Sequence, residues 1–264
     1  MKSYTKTLKG LILLLQKSHM EIESQPVLAI HDFRKHTKFL RALLQLIPGS
    51  ASQLKKTLKH SGRTLAPYRD AQVNLETWQS LNDSRSAIYN QEIDATVTQH
   101  PYILNPRPST SDLNSINQHM VTLNQYDLWD TLDLQKTVLS RRIEKSFHTG
   151  LTAMEKILDN PEPELLHKWR KRTKRLWYQL RFACGDDHAQ EDHPVIVCDQ
   201  LGKHLGEIHD LDMFSQLNYV KSDQRLLQAV AQKRIDLVKQ AGRLGQHLYI
   251  QSSDHLHMLL SQLS

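Results

Sequence analysis

Residues 31–44 read HDFRKHTKFLRALL, and residues 167–180 read HKWRKRTKRLWYQL. Aligned without gaps, the two stretches share His31/His167, Arg34/Arg170, Lys35/Lys171, Thr37/Thr173, Lys38/Lys174, Leu40/Leu176 and Leu44/Leu180. A second echo follows each of them: SGRTLAPYRD at 61–70 and LGKHLGEIHD at 201–210. Here Gly62/Gly202, Leu65/Leu205 and Asp70/Asp210 are identical, and Arg63 pairs with the base Lys203. The offset is 136 for the first motif and 140 for the second, so both stay in order and nearly in register. Two ordered coincidences of this kind read as a tandem duplication, with the halves at about 1–125 and 126–264.

The spacing is helical. With about 100° of rotation per residue, positions i, i+3, i+7 and i+10 share one arc of a helix. In the first copy that arc holds His31, Arg34, Lys38 and Arg41; in the second it holds His167, Arg170, Lys174, Tyr178 and Arg181. Phe33, Leu40, Leu44 and Ile47 lie on the other side of the first, and Leu165, Trp169, Leu176 and Leu180 on the other side of the second. A third stripe, Lys55, Lys59 and Arg63, lies across from Leu54, Leu58 and Leu65. Each helix thus has an apolar face for a core and a basic face.

Working outward, a first helix is expected over Tyr4–Glu23, and Pro26 opens the first signature helix, which runs to Pro48-Gly49. Ser50 is expected to cap a following helix over 53–64, and another starts near Pro67. The Pro- and Ser-rich stretch 100–112 reads as a loop between the halves. A long helix over 131–158 leads to Asn160-Pro161, where the second signature helix begins, ending at Cys184-Gly185. Further helices are expected over 192–207, 208–221 and 223–250. No stretch alternates with period two, so the fold class is all-α: two pseudo-twofold-related helical bundles and no sheet.

Composition agrees. The 264 residues are 39% hydrophobic and 23% charged, with 9 Gly and 9 Pro, as in a helical globular protein. Cys184 and Cys198 stand 14 residues apart with no CxxC pair, which points to a reducing, cytoplasmic setting rather than a disulfide framework. The run Gly10-Leu11-Ile12-Leu13-Leu14-Leu15 is too short to span a bilayer and reads as the buried face of the first helix, with a weak signal peptide as the alternative. The net charge of +6 hides a strong imbalance. Segments 31–41, 51–69 and 167–181 carry 16 of the 34 Lys and Arg residues and one acid, Asp32; the remainder of the chain is net acidic. Like charges stacked one turn apart destabilise a helix unless an anion neutralises them. Arg grips phosphate oxygens as a fork and Lys as a mobile point charge. A row of such groups suits a repeating oxyanion better than one compact ligand. The histidine that starts each stripe is read as a donor to that ligand or an orienting partner for a neighbouring helix.

At these residues the sequence resembles the conserved histidine α-helical domain (CHAD) family. His31, Arg34, Lys38 and Arg41 fit the family's first signature helix, and His167, Arg170, Lys174 and Arg175, with Tyr178, fit the second. Arg69-Asp70 and His209-Asp210-Leu211-Asp212 fit its later element. Phe39 and Trp177 stand where the family usually has a base, Ala71-Gln72 replaces Leu-Asp, and 85–130 matches no recognised element. The resemblance implies two helical bundles with a basic channel or groove between them. It also implies non-enzymatic binding of inorganic polyphosphate and association with polyphosphate granules. The candidate polyphosphate-binding residues are His31, Arg34, Lys38, Arg41, Lys55, Lys59, Arg63, Arg69, His167, Arg170, Lys174, Arg175, Tyr178, Arg181 and Lys203. No cofactor, metal or catalytic residue is expected.

Three rival readings are weaker. Glu21-Ile22-Glu23 resembles the E-x-E-x-K element of tunnel phosphohydrolases, but Gln25 stands where Lys should be, and there is no Walker loop, nucleophile elbow or HExxH. A histidine phosphocarrier needs one unique acceptor, whereas here there are two equivalent copies. Nucleic acid would be held through phosphates alone, because Tyr178 and Tyr68 are too sparse for a stacking platform. His188, His193, His204 and His209 have no carboxylate pattern that would complete a metal site.

Overall fold

A computed structural model describes residues 4–47, 52–82, 107–124, 136–158, 160–185 and 190–263. All regular structure among them is helical. The chain divides into two compact units, Ser3–Asp133 and Leu134–Ser264.

The N-terminal unit contains α1 (Tyr4–Met20), α2 (Pro26–Leu43), α3 (Ser52–Thr64), α4 (Ala66–Asn82) and α5 (Thr110–Asn124). α2 is the central element and packs on α1, α3 and α4, while α5 covers α3. The apolar face read from the sequence is the buried one: Phe33, Leu40, Leu44 and Ile47 are in the core with Leu8, Leu15, Leu54 and Leu58. The Gly10–Leu15 run is amphipathic in place, with Leu11, Ile12 and Leu15 buried and Leu13 65% exposed. The Tyr4 hydroxyl donates to the Leu43 carbonyl at 2.7 Å and ties the start of α1 to the last turn of α2.

The C-terminal unit contains α6 (Lys136–Leu158), α7 (Pro163–Cys184), α8 (Pro194–Phe214), α9 (Asn218–Ser222), α10 (Gln224–Gln246), a π-helical turn His247–Gln251 and α11 (Ser253–Leu263). α7 packs on both α6 and α8, and α8 on α10. Trp169 is buried on α7, and a Cβ at Gly245 of α10 would come within 2.6 Å of its Cζ2, so a glycine there is a packing requirement. In the π turn Tyr249 lies against Phe147, with ring centroids 5.1 Å apart, and over Gly150, where a side chain would collide with it.

Five expectations need correction. α1 stops at Met20 and α2 at Leu43, short of Glu23 and of Pro48-Gly49; the expected Ser50 cap lies outside the described residues. The loop expected over 100–112 gives way to a helix at Thr110. Ser109 Oγ accepts from the Asp112 amide at 3.1 Å and donates to its carboxylate at 2.8 Å, satisfying an end-of-helix donor. The break expected between 207 and 208 is absent, and α8 runs unbroken from 194 to 214. The equivalent stretch of the first half does break, at Leu65 between α3 and α4. Pro67 has no amide hydrogen to continue the ladder, whereas its counterpart Glu207 has one. Finally, α10 ends at Gln246 and a separate helix, α11, follows the π turn.

Candidate anion-binding surfaces of the two units

In the N-terminal unit the basic face of α2 meets α3 and α4. Arg34 is only 16% exposed at its side chain. Its Nη1 donates to the Gly62 carbonyl at 2.9 Å, and its Nη2 lies 3.6 Å from Asp70 Oδ1. The two motif ends His31 and Arg69 also come together: burial and then the Arg69 charge hold the His31 imidazole below its ordinary pKa, with Lys35 and Lys38 adding and Asp32 opposing. Arg69 itself is held by Glu76 through two bonds of 3.0 and 3.1 Å. At the far end of the stripe, Arg41 is half-buried and its Nε has no hydrogen-bond partner among the described residues. Burial and the neighbouring Arg63 lower its pKa from the usual guanidinium value. Lys55, Lys59 and Arg63 make no ion pair among the described residues. A half-buried cation beside another cation, with no carboxylate to offset either, is unfavourable unless an anion joins them.

In the C-terminal unit α7 lays its basic face along α8. A Cβ at Gly206 would lie 3.7 Å from Arg170 Nε, and one at Gly202 only 3.0 Å from Lys174 Cε and 3.2 Å from Lys174 Nζ. The two glycines, one turn apart on α8, thus leave a track in which Arg170 and Lys174 lie. Lys174 Nζ sits 4.2 Å from the centroid of the Trp177 ring and 3.4 Å from Asp199 Oδ1. Burial lowers its pKa, with Arg170 adding and Asp199 opposing. Arg181 Cζ lies 4.8 Å from the same indole centroid, so Trp177 carries two cations. Lys203 Nζ pairs with Asp199 Oδ2 at 2.9 Å. Tyr178 is buried; burial pushes its hydroxyl up to about 12, against the pull of Arg181 and Arg170. The His167 and His209 rings overlap with centroids 4.2 Å apart.

Each unit thus brings together the residues that the repeat places in register. His31 neighbours Arg69, and His167 neighbours His209. The register is not kept throughout: Arg34 reaches Gly62, whereas its counterpart Arg170 lies against Gly206 and Lys174 takes the place over Gly202. Arg175 lies on α7, half-buried. The sequence reading missed Trp177 as a cation holder, and it missed Asp199 and Gly206. Trp177 stands at i+3 from Lys174 and i−4 from Arg181, and Asp199 stands four residues before Lys203; both spacings were available to find them. The other histidines have structural partners: His193 accepts from the Val195 amide at the start of α8, and His204 Nε2 lies 2.8 Å from Gln240 Oε1. His188 is outside the described residues. No group of three or more metal-ligating side chains converges among the described residues. None of the described helices is long and apolar enough to cross a membrane.

A family model for the CHAD domain matches residues 15–218, which includes both signature helices and both later elements. The chain belongs to the CHAD family. A crystal structure of the CHAD domain from the plant Ricinus communis superposes with a TM-score of 0.56, covering 99% of this chain and 91% of that one at 18% sequence identity. At that identity the likeness speaks for the shared helical fold. No curated protein sequence matches the chain. The family match extends over α5 and its approach, so the stretch 85–130 lies within this CHAD domain rather than outside it.

Proposed function

We propose that this CHAD protein binds inorganic polyphosphate and does not turn it over. The observation that carries the reading is the half-buried Arg41 beside Arg63, continuing into Lys59 and Lys55 with no carboxylate paired to any of the four among the described residues. Such a row gains most from a ligand that brings one negative charge every few ångströms. Arg34, Lys38 and His31 extend the row along α2, and Arg170, Lys174 and Arg181 form a corresponding row on α7. Nucleic acid is the poorer fit: Tyr178 is buried, and Trp177 already engages Lys174 and Arg181. The reading carries a cytoplasmic location with it.

Calorimetric titration with long-chain polyphosphate at two salt concentrations, with single-stranded DNA and ATP alongside, tests it. Tight, salt-sensitive binding to polyphosphate, with no orthophosphate released, is the expected result. Equal affinity for DNA, or release of orthophosphate, overturns it.

A further inference from the structure

The repeat changes sign at Asp199. The offset of 140 that pairs Gly62 with Gly202 also pairs Arg63 with Lys203, Lys59 with Asp199 and Lys55 with Val195 along α3 and α8. On α3 these positions carry three cations without an ion pair among the described residues. On α8 the first is a buried valine and the second is a carboxylate. That carboxylate lies 2.9 Å from Lys203 Nζ and 3.4 Å from Lys174 Nζ. Lys174 is not a freely swinging lysine: it is 26% exposed, lies over Gly202 and rests against Trp177. Its ammonium group is therefore held where Asp199 is, and Asp199 is itself only 24% exposed.

Two oxygens of one carboxylate, each against a separate ammonium group, hold the position that two oxygens of a phosphate would take. We propose that Asp199 is a built-in counter-anion that limits how strongly the C-terminal unit binds polyphosphate, leaving the α2–α3 surface of the N-terminal unit as the tighter-binding half. The inference rests on the polyphosphate reading above. A phosphate arriving at Lys174 and Lys203 must either displace the carboxylate or sit beside it and be repelled. In both cases part of the attraction is already used. Lys59, in the same register on α3, adds attraction where Asp199 subtracts it.

The test is Asp199→Asn, which keeps the shape and removes the charge, titrated with long-chain polyphosphate over a salt series. Affinity should rise on the order of tenfold at low salt, and the gain should shrink as salt screens the freed lysines. The reciprocal change Lys59→Asp should weaken binding by a similar factor. Far-UV circular dichroism and thermal melting confirm that both variants are folded. If the wild type binds and D199N binds equally or more weakly, Asp199 is a positioning group for Lys174 and the counter-anion is refuted while the polyphosphate reading stands. If the wild type fails to bind but D199N binds, the counter-anion is upheld in its strongest form. If neither binds, both readings fall. Should D199N not fold, the reciprocal variant decides: unchanged affinity in K59D refutes the inferred asymmetry.

Discussion

Replacing Arg34 and Arg170 together by Ala isolates the contribution of the two signature arginines. A charge-assisted hydrogen bond contributes about 1.5–3 kcal/mol. On the proposed polyphosphate reading, two arginines that each grip a phosphate would account for roughly 3–6 kcal/mol, or between about a hundredfold and ten-thousandfold in affinity. The dependence of log K on log salt should flatten by about 1.4–1.8, because two fewer phosphate charges are neutralised. A structural cost must be separated from this. Arg34 donates to the Gly62 carbonyl at 2.9 Å, and losing that bond should destabilise the unit by about 1 kcal/mol, a shift of roughly 2–4 °C in melting temperature for a chain of this size. The conservative pair Arg34→Lys and Arg170→Lys supplies the control: it retains both charges and so the salt slope, but loses the planar fork and part of the affinity. Titration at four salt concentrations, combined with thermal melting, reads all of these quantities. A double-Ala variant that melts within a few degrees of the wild type and binds polyphosphate with unchanged affinity and slope would refute the assignment of these helix faces to the ligand.

Other consequences follow from the packing and the titrating groups. Gly245→Ala should destabilise by about 1–3 kcal/mol, because its Cβ would press on Trp169 Cζ2 at 2.6 Å and Met154 Sδ at 2.8 Å. Gly242→Ala, on the same helix with nothing within 4 Å, should stabilise by up to about 1 kcal/mol; thermal melting of the pair checks both. His19, His31, His36 and His119 all lie in the N-terminal unit, and burial holds each below the ordinary 6.5. The unfolded chain therefore takes up protons before the folded one does, so stability is kept above about pH 6.5 and lost as pH falls through it. Melting temperature should accordingly fall between pH 7.5 and 5.5, and less so in a variant with all four changed to Gln. Ser109→Ala should cost about 1 kcal/mol through loss of the α5 cap, read as faster amide exchange in the first turn of that helix.

The signature helices were legible because two independent cues coincided there. An apolar face at helical spacing fixed which side is buried, and repetition at a fixed offset fixed that the pattern was not accidental. Phe33, Leu40 and Leu44 duly lie in the core of one unit and Trp169, Leu176 and Leu180 in that of the other. α5 was not legible by those means, since the stretch 85–130 matched no recognised element. The cue it did offer, Ser109 followed three residues later by Asp112, is a local hydrogen-bonding signal rather than a periodic one. The break placed after Glu207 came from the opposite error. The chain carries no interruption there: α8 runs on from Pro194 to Phe214, with Gly206 against Arg170 inside it.

The site divides along the same line. Which faces are basic follows from spacing within one helix, so the stripes on α2, α3 and α7 could be read directly. What offsets that charge depends on which face of the next helix is turned toward them, and no single-helix pattern contains that information. Asp199 is an unremarkable acid four residues before a lysine until α8 is seen to turn it toward Lys174. The equivalent contacts in the two units sharpen the point. His31 lies near Arg69 while the His167 ring lies against that of His209, at positions that the repeat equates, yet one neighbour is a guanidinium and the other an imidazole. The repeat thus keeps its charges at some positions, such as Arg34/Arg170, Lys38/Lys174 and Asp70/Asp210, and departs from them at others, such as Lys59/Asp199 and Arg69/His209. It follows that affinity should be assigned unit by unit, and that equal roles for residues paired by the repeat cannot be assumed even where their backbones correspond.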